Sequence, residues 1–300
     1  MAALNLDLFW DNIDTKCTLW SDVPSDVGSR ECILGIDEAG RGPVLGPMVY
    51  GASYCPVSMK DQLKHMGFAD SKTLSEASRE KYFEKINCSS HLGWIVEILS
   101  PNYISNLMLR RTKYNLNSIS HDSAAGLINK LLQRNINITE VYVDTVGDPT
   151  KYQALLSSKF PHIKITVSAK ADSLFPIVSC ASICAKVARD HVVSSWKFPE
   201  MGHSSDNEEF GSGYPADPIT KQWLASNTDH VFGFPSVVRF SWSTAANILA
   251  SESLPVHWED DEDTGGSAKI TQFFSSKRST TQDSSHRYFR ERNLKFVTCL

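Results

Sequence analysis

No apolar run in this sequence approaches the roughly 20 residues that a membrane-spanning helix needs. The opening Met1-Ala-Ala-Leu-Asn-Leu-Asp7 lacks the basic segment and following apolar stretch of a secretory signal. Strong net charge is missing as well. The 30 Lys and Arg are set against 34 Asp and Glu, giving −4 overall and a pI near 6.1. That balance argues against a generally basic nucleic-acid coat protein and leaves room for a local basic patch. The 7 cysteines include no C-x-x-C pair, and Cys32, Cys180 and Cys184 sit inside apolar stretches. They read as reduced core thiols, with no disulfide framework and no zinc site. No G-x-S-x-G elbow and no internal repeat occurs. What remains is the composition of an ordinary globular protein, 41% hydrophobic and 21% charged. The expectation is an intracellular soluble chain, large enough for one sizeable domain with an appendage or for two small domains.

Along the chain, residues 1–30 are polar and acidic and read as a loosely attached lead-in. Cys32–Asp37 and Met48–Tyr54 are apolar runs close enough to pair as a hairpin. Ser75 is a plausible N-cap for a helix that follows it. Trp94–Leu99 predicts a third strand, Asn117–Gln133 an amphipathic helix, Glu140–Asp144 a fourth strand, Lys151–Lys159 a short helix and Ile163–Val167 a fifth strand. Leu174–Trp196, rich in Ala, Ser, Cys and Val, suits a helix packed closely on a sheet. Two strands able to pair antiparallel, followed by strand–helix alternation, predict an α/β fold with a mixed sheet and helices on both faces. The core is expected over 31–198. Residues 199–255 read as a helical part carrying a loop of turn residues, with helices over Asp217–Ser226 and Ser241–Ser253. From 256 to 300 come an acidic run, Glu259–Asp263, and a tail whose residues 264–300 hold 7 Lys and Arg against 2 acids. Such a tail suits an appendage ordered by a partner.

Asp37, Glu38, Asp144 and Asp172 all stand at or just past the ends of these strands. A buried strand that finishes on carboxylates needs something to offset their desolvation. Unit charges at about 4 Å repel by about 4 kcal/mol at an effective dielectric near 20. Taken singly, each acid is adequately explained as a turn cap. Three strand ends doing the same point to a hard divalent cation held by oxygen ligands, as Mg²⁺ is. Gly40-Arg-Gly42, directly after Asp37 and Glu38, lets the backbone bend tightly and approach a ligand. A dinucleotide-binding loop is excluded here, because Gly40–Gly46 has the wrong spacing, contains Pro43 and runs into a strand.

Six segments taken together, Gly35-Ile-Asp-Glu-Ala-Gly-Arg-Gly-Pro43, Asp70-Ser-Lys-Thr-Leu74, Val143-Asp-Thr-Val-Gly147, Lys170-Ala-Asp172, Ala181–Asp190 and Gly211-Ser-Gly-Tyr-Pro215, resemble the type 2 ribonuclease H family over residues 30–250. The Val-Asp-Thr-Val-Gly form and the long C-terminal extension are similar to the catalytic subunit of its eukaryotic heterotrimeric branch. The resemblance implies a ribonuclease H-like fold with a five-stranded mixed sheet and a C-terminal helical extension. It implies cleavage of RNA in RNA–DNA hybrids and at single ribonucleotides in duplex DNA, with Asp37, Glu38, Asp144 and Asp172 as catalytic metal ligands. Two Mg²⁺ ions would serve, with Mn²⁺ as an alternative. Gly40, Arg41 and Gly42 would lie by the scissile phosphate, where the 2′-OH is read. Tyr214 would stack on the sugar 3′ to the ribonucleotide. Lys72, Asn115 and Arg189 are candidate phosphate contacts, and Lys170 is expected to tune or orient Asp172. Lys72, Arg189 and Lys170 each have a plain reading as a solvated surface group. His121 and Asp122 read as capping residues at a helix start.

Two accessory subunits are expected on the C-terminal region. Lys269-Ile-Thr-Gln-Phe-Phe274 resembles a sliding-clamp box with Ser267 where such boxes carry Gln, so clamp binding is the lesser reading and subunit contact the preferred one. A nuclear location follows from the substrate. The competing function is an idle nucleic-acid-binding scaffold subunit of the same fold; the presence of all four acids favours the enzyme.

Overall fold

The structure is a computed structural model, and it describes residues 4–68, 74–112, 114–198, 200 and 210–255. Its apolar runs become six strands: β1 Lys16–Trp20, β2 Cys32–Ala39, β3 Met48–Pro56, β4 Gly93–Leu99, β5 Ile138–Asp144 and β6 Lys164–Ser168, in the spatial order β1-β4-β3-β2-β5-β6. The chain from β1 through β4 pairs antiparallel, while β5 lies parallel to β2 and β6 parallel to β5. The α/β class and the mixed sheet agree with the sequence-based expectation. The strand count differs by one.

The sixth strand comes from the lead-in, which is not loosely attached. Only Cys17 of β1 is buried, so the strand carries little apolar signal of its own. It forms because β4 offers it an open edge, a tertiary cause that a local pattern does not record. Lys16 and Lys130 bridge to the fully buried Glu97 at 3.2 and 2.7 Å. Ahead of β1, Phe9 is completely buried and meets Trp10 and Trp196 edge-on at centroid distances of 5.0 and 6.1 Å.

The helices among the described residues are α1 Asp7–Trp10, α2 Lys60–His65, α3 Glu76–Asn87, α4 Pro101–Leu109, α5 Leu116–Gln133, α6 Pro149–Lys159, α7 Ala171–Leu174, α8 Pro176–Ser194, α9 Pro218–Ser226 and α10 Ser243–Glu252. Two apolar cores result, one on each face of the sheet. On one face α5 and α6 pack over Leu34, Ile36 and Val143. On the other, α8 packs over Ile33 and Val49, joined by Phe83 of α3, Trp223 of α9 and Ala245 of α10. Cys17, Cys32, Cys55, Cys180 and Cys184 are buried free thiols. Described residues through Leu254 belong to one compact unit.

Glycines let α8 sit unusually close to the sheet. A Cβ built on Gly35 of β2 would stand 2.4 Å from the Ile177 carbonyl carbon and oxygen, and one on Gly51 of β3 would stand 2.5 Å from the Ala181 carbonyl oxygen. Backbone cannot yield as a flexible side chain can. Gly35→Ala is therefore expected to destabilise the fold by about 1–3 kcal/mol, read as a fall in thermal midpoint. An unchanged midpoint would count against this close packing.

Candidate active site

Because side chains alternate along a strand, Asp37 and Glu38 leave β2 on opposite faces. Asp37 is buried on the α8 side, where its carboxylate receives the Ser182 hydroxyl and, at 2.8 Å, the Glu38 amide. The parallel register sets Ile36 beside Val143, which brings Asp144 at the end of β5 alongside Asp37. Asp144 accepts the amides of Ala171 at 3.0 Å and Thr145 at 3.1 Å, tying β5 to α7. That short helix carries Asp172, itself 2% exposed, which accepts the Ser173 amide at 3.1 Å. Burial pushes the Asp37 carboxyl up to about 7, and the charges of Asp144 and Asp172 push in the same direction, against the Ser182 and Glu38 donors. Three acids thus act on one another on the α8 face. Glu38 stands across from Tyr50 on the other face and reaches the cleft described below.

All four donors are carboxylates, the chemistry that suits a hard divalent cation, and such a cation offsets the repulsion that raises Asp37. The residues fit the group that the sequence implies. Among the described residues, however, no three His, Cys, Asp or Glu side chains are gathered closely enough to form a finished cage.

A cleft of about 400 Å³ opens beside these acids, lined by Glu38, Ala39, Gly40, Arg41, Gly42, Arg79, Lys186, Arg189, Asp190 and Tyr214. Arg41, Arg79, Lys186 and Arg189 make its rim cationic, which suits phosphate. Gly40 has φ +73°, and a Cβ there would meet the Pro47 carbonyl oxygen at 2.6 Å and Arg189 Nε at 2.7 Å. The Tyr214 ring lies against Gly42, 3.0 Å from where a Cβ would stand, and the side chain is half exposed. Arg41 donates to Ser120 and, at 2.5 Å, to Asn117 Oδ1, which pins its guanidinium to the start of α5.

The remaining candidates fare unevenly. Asn115 is the N-cap of α5, its side-chain oxygen accepting the Ser118 amide at 2.9 Å. His121 and Asp122, expected as caps, instead lie inside α5, because the helix begins at Leu116. Arg189 packs beside Gly40 and stands 3.5 Å from Asp190. Lys170 is exposed and adopts a left-handed conformation with φ 55° between β6 and α7; its backbone makes the turn that delivers Asp172. Lys72 lies outside the described residues, as do Lys269–Phe274 and Ser267.

The residues that sequence reasoning missed come from the C-terminal part. Arg239 is fully buried and donates to the carbonyl oxygens of Gly46 at 2.8 Å, Arg41 at 3.1 Å and Gly40 at 2.5 Å. Trp242 Nε1 donates to the Gly42 carbonyl at 3.0 Å, and the Arg239 guanidinium lies 4.8 Å from the centre of its ring. Burial, with Arg189 nearby, pushes the Arg239 guanidinium down to about 9, still charged at neutral pH. The loop that precedes the cleft is therefore shaped by residues some 200 positions away, and no periodicity or spacing in the sequence announces them.

A family model described as Ribonuclease HII matches residues 34–245. The chain is 52% identical to a ribonuclease H2 subunit of Homo sapiens across 95% of this chain and 96% of that protein. It is 55% identical to the same subunit of the Arabidopsis thaliana enzyme across 78% of each. Among solved structures, the ribonuclease H2 of Pyrococcus horikoshii OT3 superposes with a TM-score of 0.61 at 32% identity, covering 73% of this chain and 98% of that one. Fold, carboxylates and relatives define a metal-dependent ribonuclease, a hydrolase of phosphodiester bonds. The chain belongs to the ribonuclease HII family.

Proposed function

We propose that the chain hydrolyses the RNA strand of RNA–DNA hybrids and incises on the 5′ side of single ribonucleotides in duplex DNA, serving primer and ribonucleotide removal in replication and repair. Asp37, Glu38, Asp144 and Asp172 would hold two divalent ions, Mg²⁺ or in its place Mn²⁺, which would supply Lewis-acid activation of water and charge stabilisation at the leaving oxygen. In the overall hydrolysis a water oxygen adds to phosphorus and the bond to the 3′ oxygen breaks, which leaves 3′-hydroxyl and 5′-phosphate ends. Gly40, Arg41 and Gly42 bring backbone and guanidinium to the ribonucleotide and read its 2′-OH. A site built to bond a hydroxyl rejects its deoxy analogue by roughly 10⁴–10⁵-fold. Arg79, Lys186 and Arg189 neutralise flanking phosphates, joined by Lys72 from the segment beyond the described residues.

The observation that supports this reading is the meeting of Tyr214 with Gly42 beside the acid-tipped strand ends. The relatives are each named as one subunit of ribonuclease H2, which implies partner subunits. Two accessory subunits, bound through residues 256–300, are the proposed partners, and the location is the nucleus. The Archaeoglobus fulgidus ribonuclease HII is solved in complex with PCNA, matching at TM-score 0.58 and 30% identity over 76% of this chain and 99% of that one. Clamp binding through Lys269–Phe274 remains the lesser role here.

The test is a duplex DNA carrying one ribonucleotide, with Mg²⁺, offered to the chain alone and assembled with its partner subunits. Incision 5′ of the ribonucleotide is expected, and none by the assembly would sink the proposal in favour of the idle scaffold. Tyr214→Ala is expected to slow junction cleavage, where the ring would stack on the sugar, and to slow long-hybrid cleavage less. Equal losses on the two substrates would remove Tyr214 from junction reading.

A further inference from the structure

Arg41 is fixed twice, from two distant parts of the chain. Its carbonyl accepts from Arg239, while its side chain is held by α5. One terminal nitrogen of the guanidinium donates to the Ser120 hydroxyl and the other to Asn117 Oδ1 at 2.5 Å. Asn117 and Ser120 are three residues apart on the helix, so their side chains are neighbours on one face. Ser120 is fully buried, whereas Asn117 is exposed. A second contact limits where the Asn117 amide can go. Gly147, in the turn that follows Asp144, has φ +87°, and a Cβ there would stand 3.3 Å from Asn117 Nδ2. The turn leaves room for the amide because position 147 carries no side chain. Asn117 thus stands between the turn after Asp144 and the arginine of the Gly40-Arg41-Gly42 loop.

We infer that Asn117 is a positioning residue for Arg41: with Ser120 it holds the guanidinium in the pose in which it meets the ribonucleotide. The inference rests on the proposal that Arg41 contacts the ribonucleotide. An arginine free at the surface samples many rotamers, and ordering it on binding opposes the interaction. Two hydrogen bonds made before the substrate arrives remove that cost in advance. They also set the plane of the fork, whose five N–H groups leave further donors for the substrate. Asn117 acts through Arg41 and not on the substrate itself.

The test is a double-mutant cycle on Asn117→Ala and Arg41→Ala, in the full-length chain assembled with its partner subunits. Asn117→Ala is expected to lower kcat/KM on a duplex carrying one ribonucleotide by roughly 10–100-fold, the scale of loss when a reacting group is misplaced by about 1 Å. Its thermal midpoint and its affinity for an all-DNA duplex of the same sequence should stay at wild-type values. Arg41→Ala is expected to slow incision at least as much, and adding Asn117→Ala to it should cost little more, because the two residues act as one unit. Losses that multiply in the double variant overturn the inference, since Asn117 would then act independently of Arg41. So does a lower midpoint or weaker all-DNA binding in Asn117→Ala, which would mark the side chain as a packing group. If Arg41→Ala is slow and Asn117→Ala is not, the positioning role falls and the reading of Arg41 stands. If Arg41→Ala cuts at the wild-type rate, both fall.

Discussion

Asp37→Asn and Asp144→Asn are each expected to abolish incision while leaving the fold intact. Losing one of these proposed ligands would remove several kcal/mol of transition-state charge stabilisation, and about 4 kcal/mol corresponds to roughly 10³-fold in rate. The Asp37 variant carries a second expectation. Burial, with Asp144 and Asp172 beside it, raises the folded Asp37 carboxyl from 3.8 to about 7. The folded chain then binds this proton more tightly than the unfolded chain does. Stability from this group is fully present below 3.8, declines as pH rises, and is lost above about 7. In metal-free protein at pH 8 the charged carboxylate thus opposes folding, and Asp37→Asn should raise the thermal midpoint there. At pH 3 the advantage should vanish. An Asp37→Asn chain that cuts at the wild-type rate would refute the ligand assignment; one that is less stable at pH 8 would refute the electrostatic account of its burial.

Arg239→Met is expected to damage the protein from the opposite direction, through the loop and not through the ions. The guanidinium holds the carbonyls of Gly40, Arg41 and Gly46, and methionine fills the space without donating to any of them. Each buried carbonyl that loses a charged donor costs about 1.5–3 kcal/mol, which summed over the three, for a domain of this size, lowers the midpoint by roughly 10 °C or more. Incision should stay depressed even at temperatures where the variant is folded, because the Gly40-Arg41-Gly42 loop loses the brace that fixes its carbonyls. Arg239→Lys is expected to rescue little: a single ammonium is a point donor and does not reproduce the planar fork that three separate carbonyls use. Normal incision with a normal midpoint would show the brace to be dispensable.

Both variants bear on how far residue order alone leads to this site. The four acids were legible because each interrupts an apolar strand at its end, where a buried charge needs a reason. Tyr214 was legible as an aromatic in a Gly/Pro loop within a recognisable set of motifs. Ser75 was legible as a cap by local rules, and it accepts the Ser78 amide at 3.3 Å. The same rules misled only over His121 and Asp122, read as capping residues at a helix start. The helix expected over Asn117–Gln133 begins one residue sooner, at Leu116, and Asn115 is its cap. A helix start is set by which residue has a side chain free to accept the first amides, and several polar residues in a row leave that choice open.

The sequence by itself determined the class of fold and marked the strand-end acids, the glycine loop and Tyr214 as candidates, since each is a local departure from a periodic pattern. Only the tertiary structure decided that Asp37 feels the charges of Asp144 and Asp172 on the α8 face while Glu38 stands across from Tyr50 on the other. It alone brought β1 onto the sheet edge, set α8 against Gly35 and Gly51, and placed Arg239 and Trp242 under the loop. These contacts join residues far apart in the chain, up to 200 positions in the case of Trp242 and Gly42. Periodicity records which face of an element is buried; which partner is buried against it depends on the path of the whole chain.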